Sequence, residues 1–499
     1  MQDTYTGTAP KCSVNEWLSY LESIHPDDIE LGLEPVAQVA DVLSCRRPAP
    51  LVILVGGTNG KGTTSALIAA LLRAQGLRVG MYNSPHIHTY HERVSIDDVM
   101  ISDDDLIASF EAIERGRGDT VLTYFEFGTL AALWHFNQCA LDAVVLEIGL
   151  GGRLDAVNIA EADVTVVSSI GLDHQDWLGD TLEAIAYEKY SIAREGKPMI
   201  SGQWNPPVTA RQTSDNAGAL WYGRGEAFDV VVEDMMVEEA VGQLPSGPGV
   251  AVTYRNVRGD TERVSAPSFA IPHHNIGTAI QALAAIDRLP SASVVSQVIE
   301  RLTVPGRWQS WQYRPDQADT MQPQGGVHSH TAASQTAPLQ IVTLDVAHNP
   351  QAAAYLAERT PVVDRVVLGM LQDKDVAGVL SALPKFSELY TVTLSGWRGL
   401  SAEALSERCE AAGYPVKARF ETMAEALSDV LQASASSAAS AVSSETDSSV
   451  QLSDQALGQA SGRASDQART GVTLVVGSFY TVEAAREFIL QGGEAWSSI

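Results

Sequence analysis

Short apolar runs alternate along the chain with stretches of helical period. Leu51 to Val55, Arg78 to Tyr82, Asp142 to Leu146 and Val164 to Ser168 are rich in β-branched and other apolar residues and read as buried strands. Thr63 to Gln75 and Phe127 to Asn137 repeat their apolar positions at helical spacing. Strand and helix in alternation predict an α/β fold built on a parallel sheet. Between Phe228 and Val264 the segments FDVVVED and GVAVTYRNV alternate more tightly and predict a small antiparallel addition. Gly277 to Leu289 and Ser293 to Leu302 read as helices, and Pro305 with Gly306 then breaks the pattern.

A second alternation follows, with strands expected at Gln340 to Leu344, Arg365 to Leu368, Leu389 to Leu394 and Val472 to Val476. It predicts a smaller Rossmann-like, doubly wound C-terminal domain, so the chain divides into residues 1–304 and 305–499. Two segments of the second domain carry no periodicity. Residues 315–338 are rich in Gln, Thr, Ser and Gly, and 433–470 are dominated by Ser and Ala. The longer one holds only Val442, Val450, Leu452 and Leu457 as large apolar residues, too few to offset the entropy of ordering it. Both are expected to be disordered surface insertions.

Composition narrows the class. With 499 residues and 45% apolar content the chain has enough material for two cores. The four cysteines are far apart and show neither CxxC nor Cys/His ligand spacing, so free thiols are expected. The N-terminal segment lacks the apolar core of a signal peptide, and no uninterrupted apolar run of membrane-spanning length occurs. A cytoplasmic protein without a membrane partner is expected. A formal charge of −28 opposes nucleic-acid binding, which wants basic patches, but leaves room for an anionic small substrate in a locally basic cleft. Nothing suggests an extended apolar interface, so a monomer is expected.

The strongest local signal is LVILVGGTNGKGTTSALIAALLRAQ, Leu51 to Gln75: an apolar strand, a glycine-rich turn with one lysine, then a helix. Gly56, Gly57, Gly60 and Gly62 let backbone amides approach phosphate oxygens, Lys61 adds a point charge, and Thr63 or Thr64 offers a hydroxyl near magnesium. The spacing departs from the ordinary P-loop, because Val55 holds the earlier glycine position and Gly62 separates Lys61 from Thr63. ATP with Mg2+ is the expected co-substrate pair.

In parallel α/β sheets function gathers at the carboxyl ends of the strands. Ser84-Pro85-His86, Glu147 and Asp173-His174 stand at three such ends. Ser84, Glu147 and His174 are oxygen and nitrogen donors suited to magnesium bridging nucleotide phosphates and a carboxylate.

Ten motifs extend this picture over nearly the whole chain outside the two insertions. EIGLGGRLDAVN, VGGTNGKGTT, YNSPH, TYFEFGTLAAL, DHQDWLG, IAYEK, PGR, LDVAHNP, GMLQDKD and VGSFYTVEAA resemble the motif set of folylpolyglutamate and dihydrofolate synthases, which are Mur-ligase-type ATP-dependent amide ligases. The resemblance implies a P-loop ATPase domain followed by a ligase domain. It implies ATP-dependent ligation of L-glutamate to dihydropteroate, giving dihydrofolate, and γ-glutamyl extension of tetrahydrofolate polyglutamates.

Residue by residue, the resemblance implies that Ser84, Glu147 and His174 hold magnesium. Thr58, Asn59, Gly60, Lys61, Gly62 and Thr63, with Asn275, Arg307 and Asp345, fall where the family contacts ATP, as does His348, which joins Lys61 and Lys189 as a residue of the catalytic machinery. Lys189 matches a lysine that members carry as a carbamate. Thr123, Phe125, Asp155 and Ala156 match a pterin pocket in which Phe125 stacks and Asp155 binds the amino-pyrimidine edge. Two positions depart from many members: Tyr190 and Ser191 replace a small pair after Lys189, and Val346 replaces a glycine. LDVAHNP is closer to bacterial members that perform both ligations. The readings left open are a polyglutamate synthase alone, a sister Mur-type ligase on a peptidoglycan precursor, and a nucleotide-binding regulator without catalysis.

Overall fold

The computed structural model describes residues 13–24, 32–234, 248–267, 271–314, 340–396, 398–432 and 471–498. The two expected insertions, 315–338 and 433–470, lie outside the described residues, as does Cys12. Cys45, Cys139 and Cys409 are free thiols. The chain separates into two compact units, Met1–Val304 and Pro305–Ile499.

The first unit is built on an eight-stranded sheet in the order Val99–Met100, Val94–Ile96, Val79–Tyr82, Ala143–Glu147, Leu51–Gly56, Val164–Val167, Pro198–Ser201, Leu220–Gly223. From Val79–Tyr82 to Leu220–Gly223 every neighbouring pair is parallel, and the hairpin Val94–Met100 adds an antiparallel edge. The period of two explains how the central strand feeds both faces. Val52 and Leu54 enter one core with Trp17, Phe110, Phe127 and Leu130, while Ile53 and Val55 enter the other with Leu67, Ile68, Ile276 and Ile280. Because both faces are covered, the strands read as continuous apolar runs. Leu54 is fully buried at the centre, and Leu54→Ala is expected to cost about 2–5 kcal/mol. The antiparallel addition is a three-stranded sheet of Asp229–Asp234, Pro248–Arg255 and Thr261–Pro267, whose Val250, Val252 and Val264 join the second core.

The second unit carries a seven-stranded sheet in the order Ala418–Phe420, Glu388–Val392, Arg365–Gly369, Gly471–Gly477, Gln340–Asp345, Gln309–Tyr313, Trp496–Ser498. The first five strands are parallel and the last two antiparallel. Leu368 and Val476 face one core, Val367 and Val475 the other. The antiparallel strands extend one edge of the doubly wound sheet, where Tyr313 packs against Trp496, ring centroids 4.9 Å apart. Among the described residues no helix is long and apolar enough to cross a membrane.

Candidate active site

Strand Leu51–Gly56 delivers the chain to Gly57, whose φ is +140°. A Cβ there would lie 2.1 Å from Ser168 Oγ, so only glycine fits. The turn is then tied to the end of the neighbouring strand. Thr58 N donates to Ser169 O at 2.8 Å, Asn59 N donates to Ser169 Oγ at 2.9 Å, and Ser168 Oγ donates to Asn59 O at 2.7 Å. Ser168 and Ser169 escaped the sequence reading, although two serines at a strand end are a visible signal. Helix Lys61–Arg73 begins at Gly60, in left-handed backbone at φ +84°, with no side chain capping its first turn. Its amides and dipole are therefore presented for an anion. Asn275 is fully buried against Gly60, where a Cβ would come within 2.5 Å of Asn275 Oδ1, and neither polar atom of the Asn275 side chain has a hydrogen-bond partner among the described residues.

Two lysines converge on this turn. Lys61 Nζ donates to the carbonyls of Gly57 and Thr58, each at 3.2 Å, and Lys189 Nζ donates to the same Gly57 carbonyl at 3.0 Å. Lys189 is buried, and burial together with the Lys61 charge lowers its pKa to about 7, against the opposing pull of Asp173, Asp155 and Glu188. A lysine so placed is far more readily neutral near neutral pH than an exposed one.

Ser84 and Glu147 are brought together at adjacent strand ends, with Ser84 N donating to Glu147 Oε2 at 3.2 Å. Among the described residues Ser84 Oγ is buried without a hydrogen-bond partner, and Glu147 Oε2 lies 3.6 Å from where a Cβ on Gly62 would sit. A carboxylate and an unused hydroxyl beside a phosphate-type turn fit a hard divalent cation. His174 holds left-handed backbone, φ 52°, on the loop after Val164–Val167, where its N donates to Asp173 Oδ1 at 3.0 Å. Among the described residues no group of three His, Cys, Asp or Glu side chains forms a preformed metal cage.

The expected acceptor pocket is more self-contained than the motifs suggested. Phe125 lies over Gly149, where a Cβ would meet its ring at 2.5 Å. Asp155 grips the same loop, accepting from Leu150 N at 2.8 Å and Val157 N at 2.9 Å. Burial raises its pKa to about 6, and those backbone bonds oppose the rise. Thr123 caps helix Tyr124–Gln138 in a reciprocal box with Glu126, its Oγ1 donating to Glu126 Oε2 at 3.0 Å. Thr123 and Asp155 are thus already engaged with the protein, whereas Phe125 presents a ring. Ala156 is buried on the turn Ala156–Ile159, which packs on helix Tyr124–Gln138.

In the second unit Arg307 and His348 lie beside Phe479, which sequence reasoning left unassigned, and Asp345 interacts with Arg307. The Arg307 guanidinium lies 5.4 Å from the Phe479 ring centroid and the His348 ring 6.5 Å from it. His348 Nδ1 lies 2.8 Å from Val346 O; since a carbonyl only accepts, Nδ1 is the donor of that bond. Asp345 is buried and accepts from Trp308 N at 2.9 Å; burial raises its pKa, and Arg307 offsets part of the rise.

The Mur ligase middle domain family matches residues 55–201, and the Mur ligase, glutamate ligase domain family matches residues 331–443. The chain is 40% identical to the dihydrofolate synthase/folylpolyglutamate synthase of Escherichia coli K12, over 78% of this chain and 84% of the relative. Among solved structures it resembles E. coli FolC in complex with DHPP and ADP, with a TM-score of 0.75 and 36% identity over 96% of this chain and 98% of that one. It also resembles a Yersinia pestis bifunctional folylpolyglutamate synthase/dihydrofolate synthase complexed with AMPPNP and Mn ion, with a TM-score of 0.72 and 36% identity over 95% and 98% of the two chains.

Proposed function

The chain belongs to the dihydrofolate synthase/folylpolyglutamate synthase family of Mur-type ligases, and from that premise we propose how its residues perform ATP-dependent ligation of L-glutamate to folate-type acceptors. The acceptors are dihydropteroate and the γ-carboxylate of tetrahydrofolate glutamates. A carboxylate is a poor electrophile, so the γ-phosphoryl group of ATP first passes to it, and the glutamate amine then displaces phosphate from the acyl phosphate. One site serves both acceptors because the chemistry is the same.

The observation that carries the reading is the pair of lysines on one glycine-turn carbonyl beside an uncapped helix N-terminus. Thr58, Asn59, Gly60, Gly62 and Thr63 cradle the phosphates, Lys61 turns from the carbonyls of Gly57 and Thr58 to the transferring phosphoryl, and Asn275 meets the nucleotide. Ser84, Glu147 and His174 hold a divalent cation, which when bound neutralises phosphate charge. Lys189 acts as its carbamate, for which its burial and low pKa prepare the free amine. Phe125 stacks on the pterin ring; Asp155, Ala156 and Thr123 shape the pocket around it. Arg307 and Asp345 contribute to nucleotide binding, and His348 to catalysis. The chain acts as a cytoplasmic monomer.

The test is phosphate release by the purified chain with Mg-ATP and L-glutamate, run separately with dihydropteroate and with tetrahydrofolate. Release with both is expected. Release with tetrahydrofolate alone reduces the assignment to polyglutamate synthesis, and silence with both removes it.

A further inference from the structure

The loop that carries the acceptor pocket is stapled to the helix that carries Lys189. A Cβ on Gly152 would lie 2.6 Å from Glu188 O and 3.0 Å from Lys189 Cα, so the loop backbone presses directly on the last turn of helix Leu182–Tyr190. The next residue, Arg153, grips Glu188 three ways. Its backbone N donates to Glu188 O at 2.9 Å, and its Nε and Nη2 donate to Glu188 Oε1 at 3.1 and 2.9 Å. Its guanidinium also lies 5.5 Å from the Tyr187 ring centroid. The other end of the loop is anchored by Asn158 Nδ2 donating to Arg153 O at 3.0 Å and by the Asp155 carboxylate.

We propose that Arg153 is a positioning residue for Lys189: it clamps the Glu188–Lys189 turn to the glycine loop, neutralises Glu188, and so holds the lysine amine at the Gly57 carbonyl in the form that takes up carbon dioxide. This rests on the reading of Lys189 as a carbamate. In that step the nitrogen lone pair attacks the carbon of CO2, an N–C bond forms, an electron pair moves onto oxygen, and the amine proton passes to solvent. Only the neutral amine reacts. Lys61 from the glycine turn disfavours protonation, while Asp173, Asp155 and Glu188 favour it. Of these three carboxylates, Glu188 is the one Arg153 neutralises. Losing Arg153 leaves a full negative charge on the residue next to Lys189 and frees the turn that aims it. The pair is partly exposed, with side chains 40% and 17% accessible, so its effect on stability is small and its effect on Lys189 is the one to measure.

The experiment equilibrates the full-length protein, Arg153→Met, Arg153→Lys and the double variant Arg153→Met/Glu188→Gln with 13C-bicarbonate at neutral pH. It reads the protein carbamate resonance by NMR alongside kcat and the KM for ATP. Arg153→Met is expected to lose most of the resonance and about tenfold or more in kcat, as befits a lost positioning contact. Its KM for ATP should change less than about twofold, the signature of an effect on the chemical step rather than on nucleotide binding. The double variant, with no charge left to neutralise but without the clamp, should regain part of the resonance, and Arg153→Lys should also fall between Arg153→Met and wild type. An undiminished resonance in Arg153→Met overturns the proposal whatever happens to kcat, since Arg153 would then be only a structural tie. A wild-type protein without the resonance overturns the carbamate reading, and the proposal with it.

Discussion

Each unit sends a parallel strand into a glycine of positive φ and then into a helix, and the two junctions differ at the cap. At the first, Gly57 (φ +140°) leads to Gly60, and helix Lys61–Arg73 begins with no side-chain cap. At the second, Gly477 (φ +135°) leads to Ser478, whose Oγ accepts from Thr481 N at 3.2 Å and closes the start of helix Phe479–Gln491. Both glycines are enforced by close approach, to Ser168 in one case and to the Gly369 carbonyl, 1.9 Å from an added Cβ, in the other. The same backbone device therefore yields a self-satisfied helix end or one whose first turn is open to an anion, according to one capping residue. The first junction also carries two lysine amines on one carbonyl.

The contrast can be broken most severely at Lys61. Lys61→Ala is expected to lower turnover about 100- to 1000-fold with little change in melting temperature, measured by phosphate release and by thermal denaturation. The second amine gives a pH-dependent test. In the fold the Lys189 amine titrates near 7 and in the unfolded chain near 10.5, so the unfolded chain binds more protons between those values and stability rises with pH across that window. The penalty for burying it is full below pH 7. In bicarbonate-free buffer Lys189→Met should therefore gain up to a few kcal/mol, about 1.4 for each pKa unit, over wild type at pH 6. The gain should close towards pH 10, while activity is lost; a gap that is flat in pH would contradict this account of Lys189.

At the second junction Gly477→Ala forces a side chain into left-handed backbone against the Gly369 carbonyl. A loss of about 1–3 kcal/mol is expected in chemical denaturation. Ser478→Ala removes only the cap and should cost about 1 kcal/mol, the smallest effect of the series. If Ser478→Ala proved as costly as Gly477→Ala, the cap could not be what separates the two junctions.

Much of this was legible in the chain because it rests on local periodicity. The central strands of both sheets and their flanking helices fall within a few residues of the sequence reading, since strands buried on both faces announce themselves as apolar runs. The strand Gln309–Tyr313 was missed because QSWQY is mostly polar and becomes a strand only through its partners Gln340–Asp345 and Trp496–Ser498. The sequence reading began helix Tyr124–Gln138 at Phe127, whereas Thr123 and Glu126 form a capping box that starts it at Tyr124. Placement at strand ends was enough to single out Ser84 and Glu147, which the fold joins by a hydrogen bond. What sequence could not convey is which polar atoms the protein consumes itself, as with the Asp155 carboxylate on Leu150 and Val157 or the Thr123 hydroxyl on Glu126. Nor could it place Arg153 on Glu188, a contact across thirty-five positions set by how a loop meets a helix.

The central claim is that the uncapped, two-lysine junction drives glutamate ligation. Its most direct test is mass spectrometry of the acceptor after incubation with Mg-ATP and L-glutamate, for the wild-type chain and for Lys61→Ala. The account predicts that wild type adds one glutamate to dihydropteroate and extends tetrahydrofolate glutamates, and that Lys61→Ala adds none to either. ATP consumption by wild type without any glutamylated product, or full ligation by Lys61→Ala, would contradict it.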